Sequence, residues 1–292
     1  MPRLHTDRLY EGELRKIREM LLMMGAKVEE MLSHAMRALI ERDTELAERT
    51  LYIDRQINRL EMEVDDLCLR VLARRQPVAS DLRFVTMALK VVTDLERMGD
   101  LGVNICERVI ELNEEPPLKP YVEVVNMAEA AQEMLREALD AFVAGDAERA
   151  QAIVERDSKV DAYYGAIFRE LLTYMMENPR NIFRATRVQS IAKYIERIAD
   201  HATNLAEMVV FMVRGNDIRH TGKLERRSAS SSKPPVPAAA DASKRSPAPP
   251  RVTDATRKPD GDEEAWPATP ADDSDASLRD VMSAVRGPSS RR

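Results

Sequence analysis

The sequence predicts an all-α protein built from two tandem, duplicated up-down three-helix bundles followed by a disordered tail. Three observations carry this. Apolar residues recur at steps of three and four almost everywhere between residues 8 and 214, as in Ile17, Leu21, Met24, Val28, Met31, Ala35 and Ala38. Aromatic residues make up only 4% of the chain, and no stretch alternates as a strand would. Glu96-Arg97-Met98-Gly99-Asp100, followed by Asn104 and Glu107, returns one hundred positions later as Glu196-Arg197-Ile198-Ala199-Asp200 with Asn204 and Glu207. A period near 100 residues is too long for a solenoid and indicates a duplicated domain.

The repeat extends upstream with a slightly larger offset. Asp43 matches Asp146, Asp54 matches Asp157, Ile57 matches Val160, Asn58 matches Asp161 and Val64 matches Ile167. Pro77 falls near Pro179, and Leu82 lies opposite Ile182. The second copy has therefore lost about three residues in the connection containing the proline.

Breakers divide each copy into three helices. Asp43 caps a second helix, and Pro77 with Ser80 separates it from the third. Pro116-Pro117 and Pro120 part the two copies. Gly145-Asp146 ends the fourth helix and caps the fifth, and Asn178-Pro179 precedes the sixth, whose end Asp217 and His220 are expected to cap. Helices of about 25–33 residues, or about 40–50 Å, joined by such short connections must run antiparallel to their neighbours. The expected boundaries are 6–115 for the first bundle and 118–220 for the second.

Residues 223–292 are of another kind. They hold 10 of the 16 prolines, with runs of Ser and Ala and few large apolar side chains. Such a segment cannot offset its ordering entropy and is predicted disordered. A short island at 276–285 places Leu278, Val281 and Val285 on one helical face, a pattern that chance accounts for. Positions 1–222 keep 31 basic and 39 acidic residues, a net charge of −8. That balance argues against nucleic acid as a partner, because duplex binding needs a basic face. The first residues lack a signal-length apolar stretch, and Met208 to Val213 is far shorter than the about 20 residues that span a bilayer. A cytoplasmic protein is expected. Cys68 and Cys106 have neither metal-type nor redox-type spacing and read as buried thiols. The methionines read as core filler.

The chemistry lies in the repeated motif. Positions i and i+4 share a helix face, so each copy sets two like charges side by side, costing about 0.2–0.5 kcal/mol unless something positive neutralises them. A metal ion would do so, and so would a basic side chain: Lys193, or Arg55 and Arg156 on neighbouring helices. Glu96, Asp100, Glu196 and Asp200 lie about 100° or more from the apolar stripes, on the outside or flank of the bundles. The buried di-iron sites of ferritin-like bundles also need Glu-x-x-His, which is missing near both motifs. His201, beside Asp200, has no counterpart in the first copy and reads as a solvated surface histidine.

Gln76-Pro77-Val78-Ala79-Ser80-Asp81-Leu82-Arg83, Leu95-Glu96-Arg97-Met98-Gly99-Asp100, Asn204-Leu205-Ala206-Glu207-Met208-Val209-Val210 and Arg214-Gly215-Asn216-Asp217-Ile218-Arg219-His220 closely resemble the PhoU family of phosphate-signalling regulators. The resemblance covers about residues 6–222. It implies two tandem three-helix bundles and surface metal binding by Glu96, Asp100, Glu196 and Asp200, with Asp54, Asp157 and Asp161 as further ligands. Asn58, at the position of Asp161, is a weaker ligand than a carboxylate, so the two sites would differ. Oxygen ligands admit a divalent or trivalent cation such as magnesium, manganese, iron or zinc. The resemblance further implies a homodimer that acts with the phosphate ABC transporter, through its ATPase subunit, and with a sensor histidine kinase. Such a protein lowers phosphate-starvation gene expression when phosphate is plentiful, is no enzyme, and meets the membrane only through partners. A metal-dependent hydrolase and a metal-buffering helical protein are the competing readings. Against the hydrolase stand the lack of a base–nucleophile constellation and of a Gly-rich phosphate cradle.

Overall fold

The computed structural model describes residues 4–215. The expected tail, the island at 276–285, and Asp217 and His220 lie outside the described residues. Six long helices follow one another: α1 (Leu4–Glu41), α2 (Thr44–Arg75), α3 (Ala79–Asn113), α4 (Val122–Ala144), α5 (Ala147–Glu177) and α6 (Ile182–Arg214), with a 3₁₀ turn at Pro179–Asn181 before α6. There is no strand among the described residues. None of their helices is long and apolar enough to cross a membrane.

The breakers act where the sequence places them, each by a visible device. Asp43 accepts a hydrogen bond from the Leu46 amide at 2.9 Å, and Asp146 accepts from the amides of Glu148 and Arg149. Gly145 closes α4 with φ 65°, and Gly215 closes α6 with φ 72° and its N–H on the Phe211 carbonyl. Two details differ from expectation. α3 already begins at Ala79, so Ser80 lies inside it, and the turn from α2 is made by Gln76 at φ 46°. α4 has only 23 residues, because Pro116, Pro117 and Pro120 fix φ and remove amide donors until Val122.

α1, α2 and α3 pack together, as do α4, α5 and α6. The duplication is visible in the burial itself. Residues 91–100 and 191–200 follow one pattern of buried, half-buried and exposed positions, residue for residue. The two bundles are not independent: α3 packs on α6 and α1 on α4, and one buried apolar cluster runs through both. Gly25 allows the close approach of α1 and α4, since a Cβ there would lie 2.0 Å from Leu139 Cδ1. Phe84 of α3 stacks on Phe142 of α4 at 5.4 Å between centroids. Arg83 Nε donates to the Met212 carbonyl at 3.0 Å, satisfying one orphan acceptor in the last turn of α6. Met20, Met24, Met31 and Met36 fill the core as expected, whereas Met23 is exposed.

Candidate functional site

In α3 the buried stripe runs through Leu95, Met98, Gly99, Leu101, Gly102 and Ile105. Glu96 and Asp100 therefore turn aside from the core, though not fully into water. The Glu96 side chain keeps only 18% of its surface exposed, and Glu196 only 16%. Both motifs lie at a helix flank, against α2 in the first copy and α5 in the second.

The first copy gathers more acid than the motif alone. Gly99 leaves room beside α2, where a Cβ would stand 3.4 Å from Asp54 Oδ1. Asn58 Nδ2 donates to Asp54 Oδ2 at 2.9 Å. The Oδ1 atoms of Asp54 and Asn58 are buried without a hydrogen-bond partner. Desolvation, followed by the Asp100 charge, raises the proton affinity of Asp54 and Glu96. Glu61 is raised by desolvation, Asp65 and Asp100, partly offset by Arg97, and Asp65 is raised by desolvation. Glu61 and Asp65 were not among the residues singled out from the motif. Their signal was nonetheless present, because 54, 58, 61 and 65 are spaced i, i+4, i+7, i+11 along one face of α2.

The second copy is poorer in acid. The positions matching Glu61 and Asp65 are Tyr164 and Phe168. Thr203 Oγ1 donates to Asp157 Oδ1 at 3.4 Å, and Ala199 replaces Gly99. Lys193 pairs with Glu196 and lies over the Tyr164 ring. Asp161 is exposed, while Asp157 and Asp200 are half-buried.

Basic neutralisation at Glu196 comes from Lys193, as expected. Arg55 stacks on Tyr52, and Arg156 pairs with Glu137 at 2.7 Å. In the first copy Arg97 takes that part, at 3.5 Å from Glu96 and 3.1 Å from Asp100. His201 also differs from expectation. It is no solvated histidine, because its Nδ1 lies 2.9 Å from Asp94 Oδ1 between α6 and α3. Cys68 and Cys106 are free and buried, and burial pushes both thiols up to about 12.

Among the described residues, no three His, Cys, Asp or Glu side chains converge closely enough to hold a metal ion as they stand. The donors of the first copy nevertheless suit a hard cation. Its orphaned oxygens and mutually repelling carboxylates, offset only in part by Arg97, are oxygen ligands on adjacent helices.

A six-helix, internally duplicated module with an acidic flank on each half defines a class of all-α proteins made of two three-helix bundles in tandem. The PhoU domain matches residues 21–109 and again 124–209. The chain is 44% identical over 241 residues to the phosphate-specific transport system accessory protein PhoU homolog of Pseudomonas putida, covering 82% of this chain and 93% of that protein. It is 37% identical over 218 residues to phosphate-specific transport system accessory protein PhoU of Escherichia coli K12, covering 75% and 90%. The crystal structure of PhoU from Pseudomonas aeruginosa superposes with a TM-score of 0.68 at 45% identity, covering 71% of this chain and all of the other. The phosphate transport system regulatory protein PhoU of Streptococcus pneumoniae gives a TM-score of 0.66 at 32% identity, with 72% and 99% covered. The chain belongs to the PhoU family.

Proposed function

We propose that this protein is a cytoplasmic accessory regulator of phosphate transport that restrains the phosphate-starvation response by contact, without chemistry of its own. The observation that carries this reading is similarity over nine-tenths of the length of relatives named as phosphate-specific transport accessory proteins. The contacts are with the ATPase subunit of a phosphate ABC transporter and with a sensor histidine kinase. A helical core of net charge −8 is poorly suited to DNA, so repression acts upstream of the promoter.

Glu96, Asp100 and Asp54 would hold one hard cation, and Glu196, Asp200, Asp157 and Asp161 another. The metal would supply positive charge to an otherwise repulsive flank. These residues would thereby offer a partner a contact of complementary charge, which governs specificity and association rate more than affinity. The hydrolase reading gains no support from the geometry. The motif carboxylates line open helix flanks, and a 570 Å³ cavity by Leu39, Ile40, Val122 and Val125 has no Asp or Glu in its walls.

Deleting the gene tests the proposal. Phosphate-scavenging genes should then be expressed even in rich phosphate, and residues 1–222 should restore repression. An unchanged deletion strain, or one locked in repression, rules the role out. Full-chain rescue without rescue by 1–222 keeps the role and assigns part of it to the tail.

A further inference from the structure

The duplication supplies its own control for reading the turn between α1 and α2. Asp43 caps α2 and Asp146 caps α5, and each is preceded by a residue in the left-handed region. In the second copy that residue is Gly145 at φ 65°, and in the first it is Arg42 at φ 57°. Glycine takes this conformation without penalty, whereas a residue with a Cβ is strained there. Both copies make the same turn, so the turn itself does not call for an arginine. Strain of this kind persists where the side chain has work to do. Part of that work is visible, since Arg42 Nη2 donates to the Asn113 carbonyl at 2.6 Å, where α3 ends. This uses one of the five N–H groups of a guanidinium. The exposed Arg42 also lines the 570 Å³ cavity. The apolar walls come from three places: Leu39 and Ile40 of α1, Pro117 and Pro120 of the connection, and Val122 and Val125 of α4. About one turn of each helix takes part, so the cavity is a pit rather than a groove for a partner helix. Ile40 and Val122 stay 57% and 58% exposed although large and apolar. The other cation in the walls, Lys119, is buried, and its ammonium pairs with both Glu123 and Glu170.

We propose that this pit binds a small amphipathic carboxylate, of the medium-chain fatty-acid class, with the carboxylate on Arg42 and the hydrocarbon between Ile40, Val122 and Val125. The size suits such a ligand, because small-molecule sites run from about 300 to 1,000 Å³ and are mostly apolar with few polar groups. No Asp or Glu lines the walls to repel the head group. The planar fork of a guanidinium matches the two oxygens of a carboxylate. Arg42 is already tethered to the end of α3, so it gives up little further freedom on binding. A phosphate dianion fits less well. Arg42 meets it with a single charge, and Glu123 with Glu170 outnumber the ammonium of Lys119 beside it.

The inference does not depend on the phosphate-regulation reading. Calorimetry of the full chain with decanoate, below its micelle concentration, should show a single saturable site. Chelator is present so that no metal on the acidic flanks can hold the carboxylate. Decanol, which keeps the hydrocarbon and lacks the charge, should bind about tenfold more weakly or worse. Inorganic phosphate should not displace decanoate. Arg42→Gly keeps the turn in the form that Gly145 gives the second copy. It should raise the dissociation constant about tenfold or more, the scale of a hydrogen bond to a charged group. Val122→Glu, an acid set into the exposed wall, should do the same at unchanged helicity. Leu69→Glu, exposed on α2 away from the pit, should leave binding unchanged. A wild-type chain that does not bind decanoate overturns the proposal. So does decanol that binds as well as decanoate, or binding indifferent to both Arg42→Gly and Val122→Glu, which would mark adsorption of a surfactant. Displacement of decanoate by inorganic phosphate overturns the carboxylate assignment in favour of a phosphate site.

Discussion

His201 Nδ1 lies 2.9 Å from Asp94 Oδ1, tying α6 to α3 where the two bundles share their core. Asp94 keeps a second oxygen, Oδ2, buried and unpartnered. Removing the imidazole would leave the carboxylate with neither partner nor free access to water. His201→Ala should therefore lose about 1–3 kcal/mol, the cost of orphaning a buried polar group. Replacing both residues by leucine should cost much less, because the orphan is removed with its partner. Urea unfolding of the three variants measures both. Equal losses for the single and double changes would mean that the tie has no energetic role.

Two glycines of α1 should respond in opposite directions to the same methyl. Gly25 faces Leu139, whose Cδ1 would be 2.0 Å from an added Cβ, while nothing lies within 4 Å of a Cβ at Gly12. Alanine gains about 1 kcal/mol over glycine in a helix interior. Gly12→Ala should therefore raise the unfolding midpoint. At Gly25 the same gain is offset by overpacking that typically costs about 1–3 kcal/mol, so Gly25→Ala should be neutral to destabilising by up to about 2 kcal/mol. Stabilisation by Gly25→Ala would show that the α1–α4 contact yields freely.

Burial raises the proton affinities of Asp54, Glu61, Asp65 and Glu96, and like charge adds to it in all but Asp65. A carboxyl raised in the folded state binds more protons there than in the unfolded chain, so its contribution to stability increases as pH falls through its folded pKa. This part of the stability should grow on going from neutral pH down into the carboxylate range, without chelatable metal. Asp100→Asn, by removing a charge that raises Asp54 and Glu96, should raise the melting temperature at neutral pH and shrink the gain on acidification. Loss of stability in Asp100→Asn at neutral pH would mean that Asp100 is held by attraction rather than strained by repulsion.

The helices and their caps were legible in the sequence because Asp43, Gly145 and Asp146 act locally, through their own amides and dihedrals. The pairing of α3 with α6 was not, because contacts such as Asp94 with His201 and Arg83 with the Met212 carbonyl join residues more than one hundred positions apart. Periodicity placed the motif carboxylates off the core stripe, but it could not grade how deeply Glu96 and Glu196 sit at the flank. His201 was misread for the same reason: its place on α6 was clear, and its neighbour Asp94 was not. Asn58 indicated that the two halves differ, but not which of them is the more acidic. Glu61 and Asp65, a turn or two further along α2, outweigh that one amide and have no acidic counterparts in α5.

That imbalance leads to the last prediction, which concerns metal. If the flanks hold hard cations, the first half should bind more tightly than the second, since carboxylate count tunes affinity for such ions. Calorimetry with manganese or magnesium should resolve two unequal sites. Glu96→Gln with Asp100→Asn should remove the tighter one, and Glu196→Gln with Asp200→Asn the weaker. Glu61→Gln or Asp65→Asn should weaken the first site by about 10–100-fold, the effect usual for groups just outside a coordination shell. Lys193→Met, which frees Glu196 of its ammonium partner, should strengthen the second. Metal content unchanged in the fourfold motif variant would dispose of both sites, and a tighter second site would show that Arg97 and Asn58 of the first copy, rather than the count of carboxylates, decide the order.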